Sequence, residues 1–500
     1  MRLRELIEGV SVIEFRGDPE TDIKGIACDS RQIKPGDLFV ALRGHKEDGH
    51  GYLQDALQKG AFALVAESFE GFEGPVPRVT VKDSRKALSK ISARFYGSPY
   101  RGMNLIGITG TNGKTTTSYL LESILQRAGA RPGVIGTINY RHSGKAYTAP
   151  VTTPESLDLM AFLREMADAG VSHVIMEVSS HALEQGRTED CPFKCAVFTN
   201  FSRDHLDYHQ SMEAYFKAKA RLFLGLKGND GASAVINTDD PKGRELVSLA
   251  EGRVISYGLD KACCVRAVDI RSDITGLRAR LITDAGEREI RSSLIGQINV
   301  YNILAASATA LSLDVALDDV VRGIETLRAV PGRLEVVANP QGVPVVIDYA
   351  HTPDALLKVL TTLRPLVKDR LITVFGCGGD RDKGKRPEMG RIAGEHSDVV
   401  IITSDNPRSE NPESIMTHIE EGIRETDLQK VTPSSSKSPS ISGYVVEKER
   451  RKAIGLAVDM AHHGDLVLIA GKGHENYQIV GGERRAFDDR QEALLAASLK

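Results

Sequence analysis

Residues 103–116 read Met103-Asn104-Leu105-Ile106-Gly107-Ile108-Thr109-Gly110-Thr111-Asn112-Gly113-Lys114-Thr115-Thr116. The apolar run predicts a short buried strand, and the residues after Lys114 predict a helix. Between them, glycines let the backbone wrap closely around phosphate oxygens, and the N–H groups of the loop and helix start favour negative charge. In such a loop Lys114 reaches the β- and γ-phosphates of a nucleotide, and Thr115 offers its hydroxyl to Mg²⁺. One position departs from the usual phosphate-loop pattern: Ile108 stands five residues before Gly113, where a glycine is expected.

Working outward, apolar runs recur at Val174–Met176, Ala196–Phe198 and Ala234–Ile236, with a helical segment at Leu157–Asp168. Alternating strands and helices predict an α/β unit with a mostly parallel sheet and right-handed crossovers. Residues 265–295 alternate polar and apolar, which predicts an antiparallel patch. Turn-rich Tyr96-Gly97-Ser98-Pro99 and Val330-Pro331-Gly332-Arg333 bound this unit. Before it lies a small α/β module with runs at Leu38–Leu42 and Ala61–Ala66. After it, runs at Val345–Ile347, Leu371–Phe375, Val399–Ile402 and Leu466–Ile469 predict another α/β domain. The expected division is 1–99, 100–331 and 332–500. The Ser/Pro-rich stretch 432–440 predicts an exposed mobile loop.

A length of 500 residues suits three domains of this kind. The balance of 64 basic against 67 acidic residues argues against a nucleic-acid binder held by phosphate contacts. No apolar run approaches the ~18 residues of a membrane span. The N-terminal Met1–Val10 carries charge throughout and lacks a signal peptide's apolar centre. The six cysteines form no C-x-x-C pair and read as inert thiols. These features predict a cytoplasmic protein; a monomer is the separate expectation for its assembly.

Two further segments carry chemistry. Glu177 follows an apolar strand, at the end of an open sheet where ligands collect, and is the leading Mg²⁺ ligand. Residues 199–209, TNFSRDHLDYH, place two histidines, two aspartates and an arginine in one short span, without the spacing of a closed zinc site.

Gly110–Thr116, the MEVSSHAL of 176–183 and the TNFSRDHLDYH of 199–209 resemble the Mur ligase family, in that order and with its intervals. The resemblance spans the chain: Ala27–Arg31 followed by Gly36–Ala41 looks like the UDP-binding opening of the members that add the third amino acid. It implies a central ATPase domain between a UDP-binding α/β domain and a C-terminal Rossmann-like domain. It also implies a reaction in peptidoglycan precursor synthesis. ATP phosphorylates the terminal carboxylate of UDP-N-acetylmuramoyl-L-alanyl-D-glutamate, and an amino acid's amine then attacks the acyl phosphate.

Carried over by position, Gly110, Thr111, Asn112, Gly113, Lys114, Thr115 and Thr116 face the ATP phosphates. Asn299, Asn302, Arg333, Asp348 and Tyr349 complete the ATP site. Thr115, Glu177, His205 and Lys219 are the Mg²⁺ set, with Lys219 carbamylated; its neighbour Lys217 makes that assignment a matter of counting. Ser30, His45, Lys46 and Glu47 resemble the uridine and diphosphate contacts, and Thr152, Thr153, Ser179, Gln185 and Arg187 the muramoyl-peptide contacts. Asp405-Asn406-Pro407-Arg408 resembles the tetrapeptide of members that add meso-diaminopimelate, with Arg381, Gly471 and Glu475 completing that pocket. A guanidinium suits the distal carboxylate of diaminopimelate and repels the ammonium of lysine. The alternatives are the same reaction with lysine, a folylpolyglutamate-type ligase and an inactive nucleotide-binding regulator.

Overall fold

The computed structural model describes residues 1–44, 47–337, 342–432 and 441–498. His45, Lys46 and the Ser/Pro-rich residues 433–440 lie outside the described residues.

The strand Asn104–Thr109 sits inside an eleven-stranded sheet, flanked by His173–Glu177 and Phe193–Phe198, both parallel to it. In register, Ile108 lies beside Glu177 and Thr109 beside Phe198. Three adjacent strands therefore end at one level, and the loops leaving them meet at the sheet's C-terminal edge, where open α/β sheets gather ligands. The sequence expectation of an antiparallel patch holds: Val265–Asp273, Gly276–Thr283 and Gly286–Ser292 form an antiparallel extension at one side of the sheet. Helices Lys114–Arg127, Gln297–Ser312 and Leu317–Thr326 cover one face, through Leu120, Ile124, Ile303 and Val320. Ser156–Asp168 and Met212–Leu224 cover the other, through Leu159, Leu163, Phe216 and Phe223.

A five-stranded sheet precedes this layer. Its strands run in the order Val12–Arg16, Arg78–Val81, Ala63–Ala66, Asp37–Val40, Gly25–Ala27, and only the first pair is antiparallel. Arg85, from this part, docks on Glu155 at 2.9 Å. A six-stranded sheet follows, in the order Glu335–Val337, Val345–Asp348, Leu466–Ala470, Leu371–Phe375, Val399–Ile402, Gly443–Val446. Its core also receives Ile298, at the start of helix Gln297–Ser312. The runs expected as strands in this part are strands. The short Gly443–Val446 and the hairpin Tyr477–Val480/Glu483–Ala486 had no apolar run to announce them.

Candidate functional site

A cavity of about 600 Å³ opens between the phosphate-loop edge and the C-terminal sheet. The loop that floors it depends on two left-handed glycines. Gly110 has φ 141°, and a Cβ there would lie 1.9 Å from Thr199 Oγ1. Gly113 has φ 88°, and its Cβ would lie 2.4 Å from Asn302 Oδ1. This explains the departure at Ile108: that residue lies inside the strand, and the tight approach falls on Gly110 instead.

Several polar groups of the loop are engaged by protein. Thr111 N donates to Asn200 O at 2.8 Å, and Asn112 N to Asn200 Oδ1 at 3.0 Å. Thr199 Oγ1 donates to Asn112 O at 2.6 Å. The Lys114 ammonium curls onto its own loop, donating to Gly110 O at 2.8 Å and Thr111 O at 2.9 Å. Desolvation lowers its pKa.

Glu177 is buried at the strand end and accepts from Thr115 Oγ1 and Thr137 Oγ1, each at 2.9 Å. Thr137 in turn lies 3.1 Å from Thr152 Oγ1. Thr153 donates to Glu177 O at 2.8 Å and accepts from Ser179 N at 3.1 Å. Arg187 Nη1 donates to Thr153 O at 2.8 Å and its Nη2 to Gln185 Oε1 at 2.7 Å. A chain of hydroxyls thus runs from Thr115 towards Arg187.

Lys219 is 2% exposed on helix Met212–Leu224 and donates to Gly110 O at 2.9 Å, whereas Lys217 points outward to Glu213 at 3.6 Å. Burial, then the charge of Lys114, pushes the Lys219 pKa well below its ordinary value. His205 adopts a left-handed φ of 52°, with its ring 4.9 Å from that of His181. Burial depresses both imidazoles, and His181 falls to about 4 with the charges of His205 and His209 adding to the effect.

The C-terminal part reaches the loop through two groups. Arg333 lies 4.5 Å over the ring of Tyr349 and donates to Thr115 Oγ1 at 3.5 Å. Its turn is held by Asp348, which accepts from Leu334 N and Ala350 N, each at 2.8 Å; burial raises this carboxyl's pKa. Asp354 accepts from Ser202 Oγ at 2.7 Å and Asn112 Nδ2 at 3.3 Å, and Lys358 donates to Asp354 at 2.8 Å. Sequence reasoning missed Asp354, Lys358 and Thr137, since nothing local to them marks a role, and it gave no role to Asn200 within the 199–209 segment. Asn302 Nδ2 donates to Asn299 Oδ1 at 2.9 Å, on the cavity wall.

The second group of expected residues gathers at the C-terminal edge of the last sheet. Asn406 donates to Glu475 Oε2 at 2.8 Å, and the fully buried Lys472 donates to Asn406 Oδ1 at 3.0 Å and Glu475 Oε2 at 3.2 Å. Gly471 needs its φ of 114°: a Cβ would lie 2.5 Å from Asp405 Oδ2. Arg408, itself left-handed at φ 54°, donates to Gly379 O at 2.6 Å. A Cβ on Gly378 would lie 2.9 Å from Arg408 Nη1 and 3.9 Å from Arg381 Cγ, so the two arginines share one glycine turn. Lys472 was the unexpected member. Ser30 is buried at the start of a single-turn helix, and Glu47 accepts from Tyr52 OH at 3.0 Å, both in the N-terminal part.

Three family models match consecutive parts of the chain: "Mur ligase family, catalytic domain" over residues 22–96, "Mur ligase middle domain" over 108–310 and "Mur ligase, glutamate ligase domain" over 332–473. The chain belongs to the Mur ligase family. It is 48% identical to a UDP-N-acetylmuramoyl-L-alanyl-D-glutamate--2,6-diaminopimelate ligase of Geobacter sulfurreducens, across 99% of this chain and 98% of that protein. It is 47% identical to the ligase of the same name from Solibacter usitatus, across 94% and 92%. A solved structure of a ligase of that name superposes with a TM-score of 0.70 at 34% identity, covering 100% of this chain and 99% of the other.

Proposed function

We propose that this chain joins meso-diaminopimelate to UDP-N-acetylmuramoyl-L-alanyl-D-glutamate, using ATP and passing through an acyl phosphate. The division at 1–99, 100–331 and 332–500 would give UDP-substrate, ATP and amino-acid domains, with the reaction in the cleft among them. The observation that carries the reading is the pairing, within Asp405–Arg408, of the Arg408 guanidinium on Gly379 O with the Asn406 amide that holds the Glu475 carboxylate. That pairing suits a ligand bearing both a distal carboxylate and ammonium groups.

Lys114 would leave its loop carbonyls for the β- and γ-phosphates of ATP, and Arg333 would reach the same phosphates from the C-terminal side. Asn299 and Asn302 would line the adenine side, and Asp348 and Tyr349 would hold Arg333 in place. Transfer of the γ-phosphoryl group to the glutamyl carboxylate gives the acyl phosphate and ADP. The amine of diaminopimelate attacks its carbonyl carbon, the C–O bond to phosphate breaks, and the amide forms. Domain closure would keep water from the acyl phosphate. Ser30, His45, Lys46 and Glu47 would hold the UDP group, and Thr152, Thr153, Ser179, Gln185 and Arg187 the muramoyl peptide.

Among the described residues no three His, Cys, Asp or Glu side chains gather as a metal site. The pair of Thr115 Oγ1 and Glu177 Oε2, 2.9 Å apart, nevertheless fits Mg²⁺, which takes few protein ligands and completes its shell with phosphate oxygens and water. Thr115 and Glu177 would hold one ion, with His205 and carbamylated Lys219 serving a second. Bound there, Mg²⁺ would supply charge neutralisation for the phosphoryl oxygens. The depressed pKa of Lys219 supports the modification. A neutral amine attacks CO₂, forming an N–C bond and releasing a proton, and the resulting carbamate is an anion. No helix among the described residues is long and apolar enough to cross a membrane; action in the cytoplasm, as a monomer, is part of the same proposal.

The test is an amino-acid panel with ATP and UDP-N-acetylmuramoyl-L-alanyl-D-glutamate, scored by product mass. Diaminopimelate should give the ligated product. Preferential ligation of lysine, or turnover of a folate substrate, would overturn the reading.

A further inference from the structure

The antiparallel extension buries Leu277, Ala279, Leu281 and Ile290 in the central core and turns its other face outward. On that outer face Arg271 lies directly opposite Arg278, and Arg278 directly opposite Arg291. Like charges facing each other across strands destabilise a sheet. The neighbouring row shows the ordinary remedy: Arg280 bonds to Asp269 at 2.8 Å and to Glu287 at 3.1 Å. Arg288 and Arg322, close by, likewise pair with Asp318 at 2.8 Å and Asp319 at 3.0 Å. Among the described residues, no carboxylate closes an ion pair with Arg271, Arg278 or Arg291; Arg278 acts only at longer range, on Asp273.

This unpaired row lines a cavity of about 760 Å³, which a fourth arginine, Arg328, also enters. Two carboxylates reach its wall, Asp273 and Glu325. Asp273 is taken up by its own turn, accepting from Thr275 N at 2.7 Å and Thr275 Oγ1 at 2.6 Å. The cavity shares no lining residue with the nucleotide-side cavity.

We propose that the Arg271–Arg278–Arg291 row is a binding site for a soluble oligophosphate, a small molecule carrying several linked phosphoryl groups. Guanidinium forks match phosphate oxygens two at a time. Three neighbouring strands spread the row over about 10 Å, more than a single phosphate can bridge. The volume is that of a small-molecule site, and its concave shape fits a discrete ligand better than a flat membrane surface. The uncompensated row is stable enough to exist but is relieved only when an anion arrives.

The probe is inorganic tripolyphosphate, titrated calorimetrically into the full chain without Mg²⁺. Binding at one site should survive in Lys114→Ala, where the phosphate loop no longer competes. Arg278→Thr should weaken it roughly ten- to hundredfold, as loss of a charge-assisted contact does, and Arg322→Ala should leave it unchanged. Unliganded Arg278→Thr should unfold at the same temperature as the parent or higher, because repulsion in the row is relieved. Should that variant fail to fold, Arg291→Gln carries the same expectations. Undiminished affinity in the row variants, loss of binding in Lys114→Ala, or attachment to phosphatidylglycerol vesicles without tripolyphosphate binding would each overturn the proposal.

Discussion

The phosphate loop and the Asp405–Arg408 pocket are built from like parts and held in opposite ways. Each uses strand ends, left-handed backbone and a lysine drawn inward. In the loop, Lys114 satisfies itself on the carbonyls of Gly110 and Thr111. In the pocket, Lys472 is locked between the side chains of Asn406 and Glu475. A lysine resting on its own loop can exchange those partners for phosphate oxygens. A lysine locked to side chains fixes their position before any ligand arrives, so little ordering is left for binding. On the proposed reading, one region switches partners and the other selects.

The largest effect should come from Lys114→Ala, which should cut ADP and acyl-phosphate formation by about three orders of magnitude or more, while amino-acid binding stays near normal. Normal acyl-phosphate formation in that variant would break the comparison at its first term.

Lys219, the other lysine on Gly110 O, comes next. Lys219→Ala should lose about two orders of magnitude in turnover, with partial rescue by short-chain carboxylates that restore the missing anion. Parent-like turnover would remove the carbamate from the scheme. For the chain with Lys219 unmodified, the stability effect has a definite sign. Because burial depresses this pKa, the unfolded chain holds the proton more tightly, and the group's contribution to stability rises with pH up to the ordinary value of 10.5. Lys219→Met should therefore raise the unfolding temperature at neutral pH, and the gain should shrink as pH approaches 10.5. Thermal melts across that range decide it.

On the selecting side, Arg408→Ala should lower kcat/KM for diaminopimelate by roughly two orders of magnitude and leave ATP kinetics nearly untouched. Lysine activity need not appear, because a lysine pocket also needs an acceptor for the ammonium. A variant that keeps its full preference would show that Arg408 does not select. The smallest effect should be Asp354→Ala. This partly exposed group ties the C-terminal helix Pro353–Leu363 to Ser202 and Asn112, and its loss should raise KM for ATP about two- to fivefold with kcat nearly constant. A larger change in kcat would make Asp354 part of the switching machinery.

The phosphate loop was legible because its requirements are local: glycines where the backbone must turn left-handed, with lysine and threonine following at once. Glu177 was legible as the end of an apolar strand, and the antiparallel patch as an alternation of polar and apolar residues. Asp405–Arg408 could be read only through its resemblance, since the four residues alone make an ordinary turn. The sequence by itself thus determined which segments are strands and which loops carry glycine, lysine and carboxylate, because these follow from backbone sterics and hydrophobic period. The tertiary structure decided the rest. It separated Lys219 from Lys217 by turning one towards Gly110 O and the other to solvent. It brought Asp354 to Asn112 across a long stretch of chain, and it set Arg271, Arg278 and Arg291 in one row. Strand register and domain docking depend on the sum of many distant packing contacts, and no short stretch of sequence carries that sum.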